Sequence, residues 1–403
     1  MLSFLKRRSE AEELPIEAEL RQAIVVASGG EMPFSDFMRA ALFDPEHGYY
    51  ARYGSDVGRY GAFYRDPMAS AIFAQSLAAQ FEQMWQLLGR PAIFTIVEQG
   101  ANNAGFSIAL LTWLSQWRPE IYEGLKYIIV EPIPALRREQ EARVKEANLT
   151  EHYRWMDSLK ELAGSGATGI FYNCEYADSL PVRLVTYLDG WQELFVQWPE
   201  GAPQPNFIQK PADNPALLAE IERWHVPRLR RYRAEICLQV PTWIAEAAAI
   251  FDRGFYLTVA YGFEAETLYH TNRLTGSIHT IKEGSPQKGT NLLEGAGSRD
   301  ISYMVNFSAI RAHGEEAGLE TLGVARQTEA MSALTRPAYE AFMQQNAERQ
   351  TEPEIHDIIK AFRTLLQPPI TASSYRFLVQ SKGLNAGPKP LEKYPIAALV
   401  GKR

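Results

Sequence analysis

Residues 93–105 read IFTIVEQGANNAG, and this stretch decides how the rest of the chain is interpreted. It begins as a short apolar strand that ends at Glu98 and continues into a turn with Gly100 and Gly105. Apolar residues then recur at the spacing of a helix over residues 106–114. A strand, a glycine-bearing turn and a helix form the opening unit of a doubly wound α/β sheet.

A turn of this kind can bind a nucleotide or a cofactor at the carboxyl end of its strand. Glycine lets the backbone approach a ligand closely, and the first N–H groups of the following helix are available as donors. The turn alone does not separate a binding site from an ordinary strand-to-helix connection, because Gly100 and Gly105 do not make the G-x-G-x-x-G pattern. The downstream sequence has to decide.

Bulk composition excludes several classes of protein. The 403 residues suffice for one large or two ordinary domains, and 46% apolar with 22% charged residues is typical of a soluble globular chain. The formal charge of −7 gives no general attraction to nucleic acid or to an anionic membrane, so we expect neither as a partner. Two cysteines, Cys174 and Cys237, suit a reducing compartment, and the start of the chain lacks a secretory pattern. We therefore expect a cytoplasmic protein, with a homodimer left open.

Residues 125–131, LKYIIVE, predict a second buried strand that ends at Glu131. An acidic residue at the tip of the second strand is where such folds hold both hydroxyls of a ribose, because a carboxylate can accept two hydrogen bonds. The alternative is a helix N-cap or a solvated strand end. The glycine turn one unit earlier favours the ribose role for Glu131.

Further strands complete a predicted sheet of seven, mostly parallel, from about residue 91. Residues 152–159 predict a third strand that reaches Asp157, and residues 169–181 predict a fourth with Asn173 at its end. Residues 254–263 predict the fifth, and the alternating stretch 375–383 predicts a last, antiparallel strand. The carboxyl ends of parallel strands share one edge of a sheet, so we expect the acidic and amide side chains at these ends to meet there.

Several segments occur in an order that resembles one family: HGYY, VEQGANNAG, VEP, WMDSL, YNCEYADSLP, RAEICL, YLTVAYGF and DISYMVNFSAI. This is the MidA-like family of S-adenosylmethionine-dependent methyltransferases, which includes the mitochondrial complex I assembly arginine methyltransferase and its bacterial relatives. The similarity spans about residues 33–383. Its most specific parts are residues 173–181, similar to the family's N-E-x-x-D-A-x-P, and residues 300–310, similar to D-I-x-x-x-V-N-F-x-A.

The resemblance implies an α/β fold: a class I S-adenosylmethionine-methyltransferase, Rossmann-like sheet, with an N-terminal helical segment and an inserted helical cap. On this view residues 1–90 lie over the cofactor mouth and residues 91–197 form the first part of the sheet. Residues 198–240 form the cap, and residues 241–403 complete the methyltransferase domain. The implied cofactor is S-adenosyl-L-methionine.

The same resemblance implies which residues contact that cofactor. We expect Glu131 to take the ribose hydroxyls, Asp157 to take the adenine amino group, and Met156 to lie beside the ring. The turn at Gly100 should pass close to the methionine moiety. The complete set of expected cofactor-binding residues is Glu98, Gly100, Asn102, Gly105, Glu131, Met156 and Asp157. The expected catalytic residues are Asn173, Glu175 and Glu235, with Glu175 nearest the transferred methyl.

The chain departs from the family pattern where an acceptor would bind. The middle glycine of E-x-G-x-G-x-G is missing, and acidic residues of the family are replaced by Ala62, Met68 and Ala260. An arginine acceptor wants carboxylates, both to hold the guanidinium and to assist its loss of a proton. We therefore expect a protein, peptide or small-molecule acceptor other than arginine. The alternative is a non-catalytic assembly protein that retains the fold.

Two stretches have more than one interpretation. A loop at 47–70 contains Arg65 and several tyrosines, which either close over an acceptor or pack the N-terminal segment onto the sheet. Residues 223–233, RWHVPRLRRYR, are either a patch for an acidic partner or nucleic acid, or a solvated face of the cap. The negative net charge favours the solvated face. The histidines are scattered without metal-ligand spacing, so we expect no metal.

Overall fold

The computed structural model describes residues 15–26, 30–57, 67–282, 285–287, 291–366 and 374–384. The helices are α1 (Pro15–Val26), α2 (Phe34–Phe43), α3 (Tyr49–Val57), α4 (Pro67–Leu87), α5 (Gly105–Trp117), α6 (Pro119–Tyr122), α7 (Pro134–Glu146), α8 (Pro215–Arg223), α9 (Val240–Ala248), α10 (Ala265–Leu268), α11 (Phe307–Glu316), α12 (Gln327–Gln345) and α13 (Pro353–Leu366).

The strands are β1 (Glu31–Pro33), β2 (Phe94–Gln99), β3 (Leu125–Val130), β4 (Tyr153–Met156), β5 (Ala167–Cys174), β6 (Arg183–Tyr187), β7 (Trp191–Gln197), β8 (Asn206–Pro211), β9 (Arg233–Ile236), β10 (Phe251–Phe263), β11 (His279–Lys282), β12 (Ser285–Gln287), β13 (Asp300–Ser302), β14 (Val305–Asn306), β15 (Glu320–Arg326) and β16 (Tyr375–Lys382).

The central sheet has the strand order β15-β16-β10-β5-β2-β3-β4, with β14 paired to the end of β10. Strands β10, β5, β2, β3 and β4 are parallel to their neighbours, and β16 runs antiparallel between β10 and β15. The predicted mostly parallel sheet with an antiparallel last strand is therefore confirmed. All six residues of β2 are buried, as expected for a strand covered on both faces.

Helices cover both faces of this sheet. One core cluster contains side chains of α4, α5, α12 and α13 packed on the sheet, including Phe73, Phe106 and Phe362. The other face packs against α9 and α11, where Trp243 and Phe307 contribute the largest side chains. The chain leaves β2 toward β3 and β4 and then returns to β5 on the other side of β2. This reversal creates a crevice at the carboxyl ends of β2 and β5, where sheets of this type bind ligands.

A second sheet of five antiparallel strands is inserted into the chain. Its order is β1-β7-β6-β9, and β8 pairs with β7. One face packs on α2 and α3, and the other face packs on α8 and α10. The segment 198–240, expected as a helical cap, contains the strands β8 and β9 as well as the helix α8. Its strands are short and lie among prolines, so their alternation was hidden in the sequence.

The N-terminal helices join this second sheet to the mouth of the first. Strand β1 pairs with β7, and α3 packs against α7 directly after β3. The approach is close, because a Cβ added at Gly54 would lie 2.2 Å from Leu136 Cδ2. The N-terminal segment accordingly lies beside the carboxyl end of β3, where the cofactor mouth was expected.

Candidate functional site

The carboxyl ends of β5, β2, β3 and β4 form one continuous edge, which we call the cofactor edge. The strand register aligns Gln99 with Asn173 on β5 and with Val130 on β3, and it aligns Val130 with Met156 on β4. Of the residues expected to bind the cofactor or to act in catalysis, all except Glu235 therefore lie at or directly after this edge.

The glycine turn keeps its left-handed conformations although glycine is present at only one of them. Gly100 has φ 80°, Asn102 has φ 50° and Ala104 has φ 60°. Asparagine tolerates this region, whereas alanine adopts it at a cost of about 1 kcal/mol. Gly105 is outside the left-handed region and starts α5, with its N–H donating to Asn103 Oδ1. The turn thus takes left-handed conformations at Asn102 and Ala104 without a glycine at either position.

Glycine is required at position 100 for a second reason. A Cβ added at Gly100 would lie 3.0 Å from Tyr176 Cβ, so the turn passes directly under the tyrosine. The Tyr176 hydroxyl accepts a hydrogen bond from Gln99 Nε2 at 2.9 Å, and Gln99 Oε1 accepts from Trp243 Nε1 at 2.8 Å. These bonds hold the end of β2 and the residue after Glu175 in a fixed relation.

Glu131 is buried and bound to its neighbours through both carboxylate oxygens. The Ile133 N–H donates to Oε1 at 3.0 Å, and Gln140 Nε2 donates to Oε2 at 3.1 Å. Burial raises the pKa of Glu131 to about 7, against the lowering effect of these two bonds. Each carboxylate oxygen has a second lone pair, so a ligand hydroxyl can still donate to it.

Gln140 joins three parts of the cofactor edge and was missed in the sequence. Its side chain is fully buried, and Nε2 also donates to the Asn102 carbonyl at 2.7 Å. Its Oε1 accepts from Trp155 Nε1 at 3.0 Å. One amide therefore connects the glycine turn, Glu131 and β4. The only sequence signal was a glutamine one helical turn from Leu136 on the buried side of a charged helix.

Glu98 is directed into the core under the turn. It is 2% exposed, and the Tyr127 hydroxyl donates to its Oε2 at 2.8 Å. Burial raises the pKa of Glu98 to about 8, so the carboxyl holds a proton at neutral pH. Its described partner lies on β3, which indicates that Glu98 supports the turn from below.

Met156 and Asp157 end β4 at the outer end of the edge. Met156 is half-buried and packs on the core beside Val130. Asp157 is largely exposed, with Oδ1 accepting from Arg137 Nη1 at 3.0 Å. A ligand amino group would share this carboxylate with Arg137.

A carboxyl cluster lies next to the cofactor edge, after β5. It consists of Glu175, Asp178 and Asp300, together with Tyr50. Asp300 Oδ1 accepts from the Tyr50 hydroxyl at 3.1 Å, and Glu175 accepts from the Tyr375 hydroxyl. The cluster joins four separate parts of the chain: α3, the turn after β5, β13 and β16.

Asp178 and Asp300 have raised pKa values. Burial, and then the charges of Glu175 and Asp300, raise the pKa of Asp178 well above its ordinary value. Burial raises the pKa of Asp300 to about 6, although the hydrogen bond from Tyr50 lowers it. A cation placed among these carboxyls would relieve both the desolvation and the mutual repulsion. Asp178 and Asp300 were not predicted as site residues, although both belong to the two most specific family segments.

Glu235 lies apart from this edge, on β9 of the second sheet. Its carboxylate accepts hydrogen bonds from the Ser277 N–H and hydroxyl and from the Ile278 N–H, at 2.9, 3.0 and 3.1 Å. Burial raises its pKa, and these bonds oppose the rise. In the described structure Glu235 holds residues 276–278 against β9, and a catalytic role for it stays a prediction.

Positions expected to have lost acidic residues are only partly described. Ala260 is fully buried in β10. Ala62 and Arg65 lie outside the described residues, as does the side chain of Met68. Of the tyrosines, Tyr49 packs in the core on α2 and the second sheet, whereas Tyr50 bonds to the carboxyl cluster. Tyr49 thus packs the N-terminal segment, as one interpretation has it, whereas closure of the loop over an acceptor stays a prediction.

The geometry agrees with the comparisons to known proteins. A family model for S-adenosyl-L-methionine-dependent methyltransferases matches residues 76–325, which is more than half of the chain. The chain belongs to this family. The recognition made from the sequence motifs is confirmed, and the protein is a methyltransferase whose cofactor is S-adenosyl-L-methionine.

Named relatives extend over most of the chain. A mitochondrial protein arginine methyltransferase NDUFAF7 homolog of Drosophila melanogaster is 24% identical over 394 residues, covering 92% of this chain and 86% of its own. Human NDUFAF7 is 24% identical over 341 residues, covering 78% and 74%. A crystal structure from Burkholderia thailandensis, bound to S-adenosyl-homocysteine, has a TM-score of 0.78 at 23% identity and covers 92% and 93%. That likeness shows the shared fold.

The residues at the cofactor edge fit this cofactor. Within the described part of the chain, the buried Oδ1 atoms of Asn102 and Asn173 have no hydrogen-bond partner, so both can accept from a ligand. Glu131 supplies a carboxylate for ribose hydroxyls, and the left-handed turn at Gly100 brings backbone close to the crevice. S-adenosyl-L-methionine supplies an electrophilic methyl group when bound. The individual contacts of each residue stay predictions.

Proposed function

We propose that this methyltransferase modifies a cationic side chain of a protein, and that arginine is the residue it takes. The carboxyl cluster is the observation that carries the proposal. Glu175 and Asp178 lie directly after β5, adjoining the cofactor edge, Asp300 reaches them from β13, and Asp300 and Glu175 are only half-buried. The named relatives are protein arginine methyltransferases, which supports the same acceptor.

A guanidinium suits this cluster better than other groups do. It is planar, stays charged in proteins, and can donate to two carboxylate oxygens at once. Its binding would lower the raised pKa values of Asp178 and Asp300 and would stabilise their charged forms. Because a guanidinium lacks a good lone pair until it loses a proton, the acceptor also needs a base.

Glu175 is placed to act as that base. It follows β5 in a left-handed conformation with φ 55°, and its N–H donates to the Val259 carbonyl at 2.9 Å. The Tyr375 hydroxyl holds its carboxylate from the side of β16. In this proposal Glu175 accepts the proton that the acceptor nitrogen loses, while Asp178 and Asp300 hold the remaining positive charge.

This acceptor differs from the one expected from the sequence. That expectation counted carboxylates lost at positions 62, 68 and 260, and the structure describes side-chain surroundings only for Ala260 among them. It did not count Asp178, three residues after Glu175, or Asp300, which long-range packing brings to the same place. The two acceptor hypotheses make opposite predictions, so one assay separates them.

The assay incubates the protein with isotope-labelled S-adenosyl-L-methionine and matched peptides whose central residue is arginine, lysine or glutamine. Mass spectrometry locates the added methyl. We expect label on arginine, and we expect Glu175→Gln or Asp300→Asn to reduce it while binding of S-adenosyl-L-homocysteine is retained. Asp213→Asn, which removes an exposed carboxylate of the insertion, is the matched control. Methylation of a non-basic group, or full activity in Glu175→Gln, would refute the proposal.

The compartment stays a prediction. The relatives are described as mitochondrial, and the expectation from the sequence was cytoplasmic. Among the described residues, none of the helices is both long and apolar enough to cross a bilayer.

A further inference from the structure

Two exposed loops, one in the insertion and one after α10, form a basic surface that the methyl transfer reaction does not use. We call it the arginine–leucine surface, and it consists of residues 225–233 and 270–275. The first loop has four arginines and no acidic residue; the second adds one more arginine and again has no acidic residue. A surface of one sign is unusual in a chain whose net charge is −7.

Two leucines stand among these arginines. Leu229 is 41% exposed and Leu274 is 49% exposed, and both are among the few large apolar side chains exposed in the described structure. One backbone bond joins the loops, because the Arg233 N–H donates to the Leu274 carbonyl at 2.9 Å. Within the first loop the Tyr232 N–H donates to the Leu229 carbonyl, also at 2.9 Å. The leucines therefore flank one short stretch of strand.

Most of the arginines have no acidic partner. Arg228 pairs with Glu222 at 2.7 Å, whereas Arg230, Arg231 and Arg233 make no ion pair with any described residue. Arg273 stacks over the Phe263 ring, with its guanidinium carbon 4.7 Å from the centroid. The surface thus presents unneutralised guanidinium groups beside apolar side chains, a composition enriched at protein interfaces.

The backbone under this surface is held in place. His225 and Arg231 occupy the left-handed region, with φ 50° and 67°. The Arg231 N–H donates to the Tyr187 carbonyl at 2.7 Å, which fixes the loop on β6. A surface held in this way loses little conformational entropy when a partner binds.

The arginine–leucine surface is linked to the carboxyl cluster through the chain that follows its second loop. Residues 276–278 follow the second loop and are clamped by the Glu235 carboxylate. Strand β11 begins next, and it pairs with β13 so that Ile281 faces Asp300 of the carboxyl cluster. Glu235 thereby connects the basic surface to the carboxyl cluster.

We propose that the arginine–leucine surface binds an acidic segment of the protein acceptor while the carboxyl cluster receives its cationic target residue. The part of this inference that seats the cationic target residue in the carboxyl cluster rests on the proposed function. The substrate class it names is a basic side chain followed or preceded by glutamates or aspartates. Opposite charges on the two sites also fix the direction in which the acceptor chain lies.

Other occupants fit the surface less well. Nucleic acid binding without sequence preference uses exposed aromatic rings for stacking, and Tyr232, within the basic loop, is only 1% exposed. An interfacial membrane site uses a continuous apolar face, whereas the two leucines are half exposed and separated by arginines. An acidic, extended peptide needs only the charges and the small apolar contacts that are present.

The test compares two arginine-centred peptides, one flanked by glutamates and the other by serines. The variant is Arg230→Glu/Arg231→Glu. The control, Lys360→Glu/Arg363→Glu, makes the same charge change at exposed positions of α13 on the far side of the sheet. We expect the variant to raise KM for the glutamate-flanked peptide about tenfold at low salt, with kcat and the serine-flanked peptide unchanged. The control should match the wild type.

Direct binding separates this inference from the proposed function. A fluorescent glutamate-flanked peptide with glutamine at its centre reports docking by anisotropy without any methyl transfer. Weaker binding to the variant than to the control would support the surface even if no arginine were methylated. Equal binding to the variant and the control would overturn the inference while leaving arginine methylation standing. Binding to phosphatidylserine vesicles that the variant alone loses, with peptide binding unchanged, would overturn it in favour of a lipid surface.

Discussion

The cofactor edge and the carboxyl cluster are adjacent, yet they are built in different ways. The cofactor edge consists of consecutive strand ends, so each of its residues lies within a strand–turn–helix unit that is local in sequence. The carboxyl cluster is assembled from Tyr50, the neighbouring Glu175 and Asp178, and Asp300, which come from three distant parts of the chain. Local patterns can identify the first kind of site, whereas the second exists only after the insertion and the N-terminal helices have packed.

The two regions also use their carboxyl groups differently. Glu131 and Glu98 each have one or more neutral donors supplied by the same sheet or its following helix. In the carboxyl cluster, Asp178 faces the charges of Glu175 and Asp300 as well. The carboxyl groups of the cofactor edge thus have neutral partners, whereas those of the carboxyl cluster repel one another, which a bound cation would relieve.

The largest expected effect distinguishes the two regions directly. Glu175→Gln keeps the shape of the side chain but removes the base, so we expect kcat to fall by about 10²- to 10⁴-fold. Binding of S-adenosyl-L-homocysteine should be unchanged, because Glu175 belongs to the carboxyl cluster. Single-turnover methylation and calorimetry measure the two quantities. If Glu175→Gln lost cofactor affinity with little loss of rate, the cofactor edge and the carboxyl cluster could not be treated as separate sites.

The buried carboxyl of Glu98 predicts a pH effect on stability. Its folded pKa of about 8 lies above its ordinary value of 4.5, so its contribution is complete below pH 4.5 and is lost as pH rises toward 8. Within that window, each rise of one pH unit lowers the free energy of unfolding by about 1.4 kcal/mol, because the folded protein keeps a proton that the unfolded chain has lost. We expect Glu98→Gln to flatten the decline of the thermal unfolding midpoint over this window. If the unfolding midpoint of Glu98→Gln depends on pH as that of the wild type does, Glu98 is ionised in the folded protein.

Loss of the ribose contact should weaken cofactor binding with the fold intact. Glu131→Ala removes a charged hydrogen-bond partner, which corresponds to about a tenfold to hundredfold loss of affinity. Glu141→Ala, on the same helix and exposed, removes a carboxylate that pairs only with Arg137 at 3.1 Å and is the matched control. Calorimetry with S-adenosyl-L-methionine measures both. Equal affinities of the two variants for the cofactor would show that Glu131 does not contact it.

The smallest effect concerns Gln140, which touches the turn and the ribose carboxylate at once. Gln140→Leu should reduce cofactor affinity about tenfold, since neutral hydrogen bonds contribute about 1 kcal/mol each. Combined with Glu131→Ala, the losses should be less than additive, because Gln140 acts partly through Glu131. Strict additivity in this double-mutant cycle would mean that Gln140 positions only the turn.

Sequence patterns predicted the cofactor edge well for a physical reason. Buried parallel strands are continuously apolar, and polar residues such as Glu131 interrupt them only at their ends, so strand limits and candidate ligands come from the same pattern. Gln140 was missed because a buried amide looks like any polar residue of a charged helix. Asp178 and Asp300 were present in recognised motifs, but nothing local in either motif predicts that they meet.

The central claim is that a cationic acceptor group lies in the carboxyl cluster while the cofactor lies along the cofactor edge. A crystal structure with S-adenosyl-L-homocysteine and an arginine-centred, glutamate-flanked peptide tests it most directly. The account predicts ribose hydroxyls on Glu131 and a guanidinium between Glu175 and the pair Asp178 and Asp300. A guanidinium bound elsewhere, with the carboxyl cluster closed on itself, would contradict it.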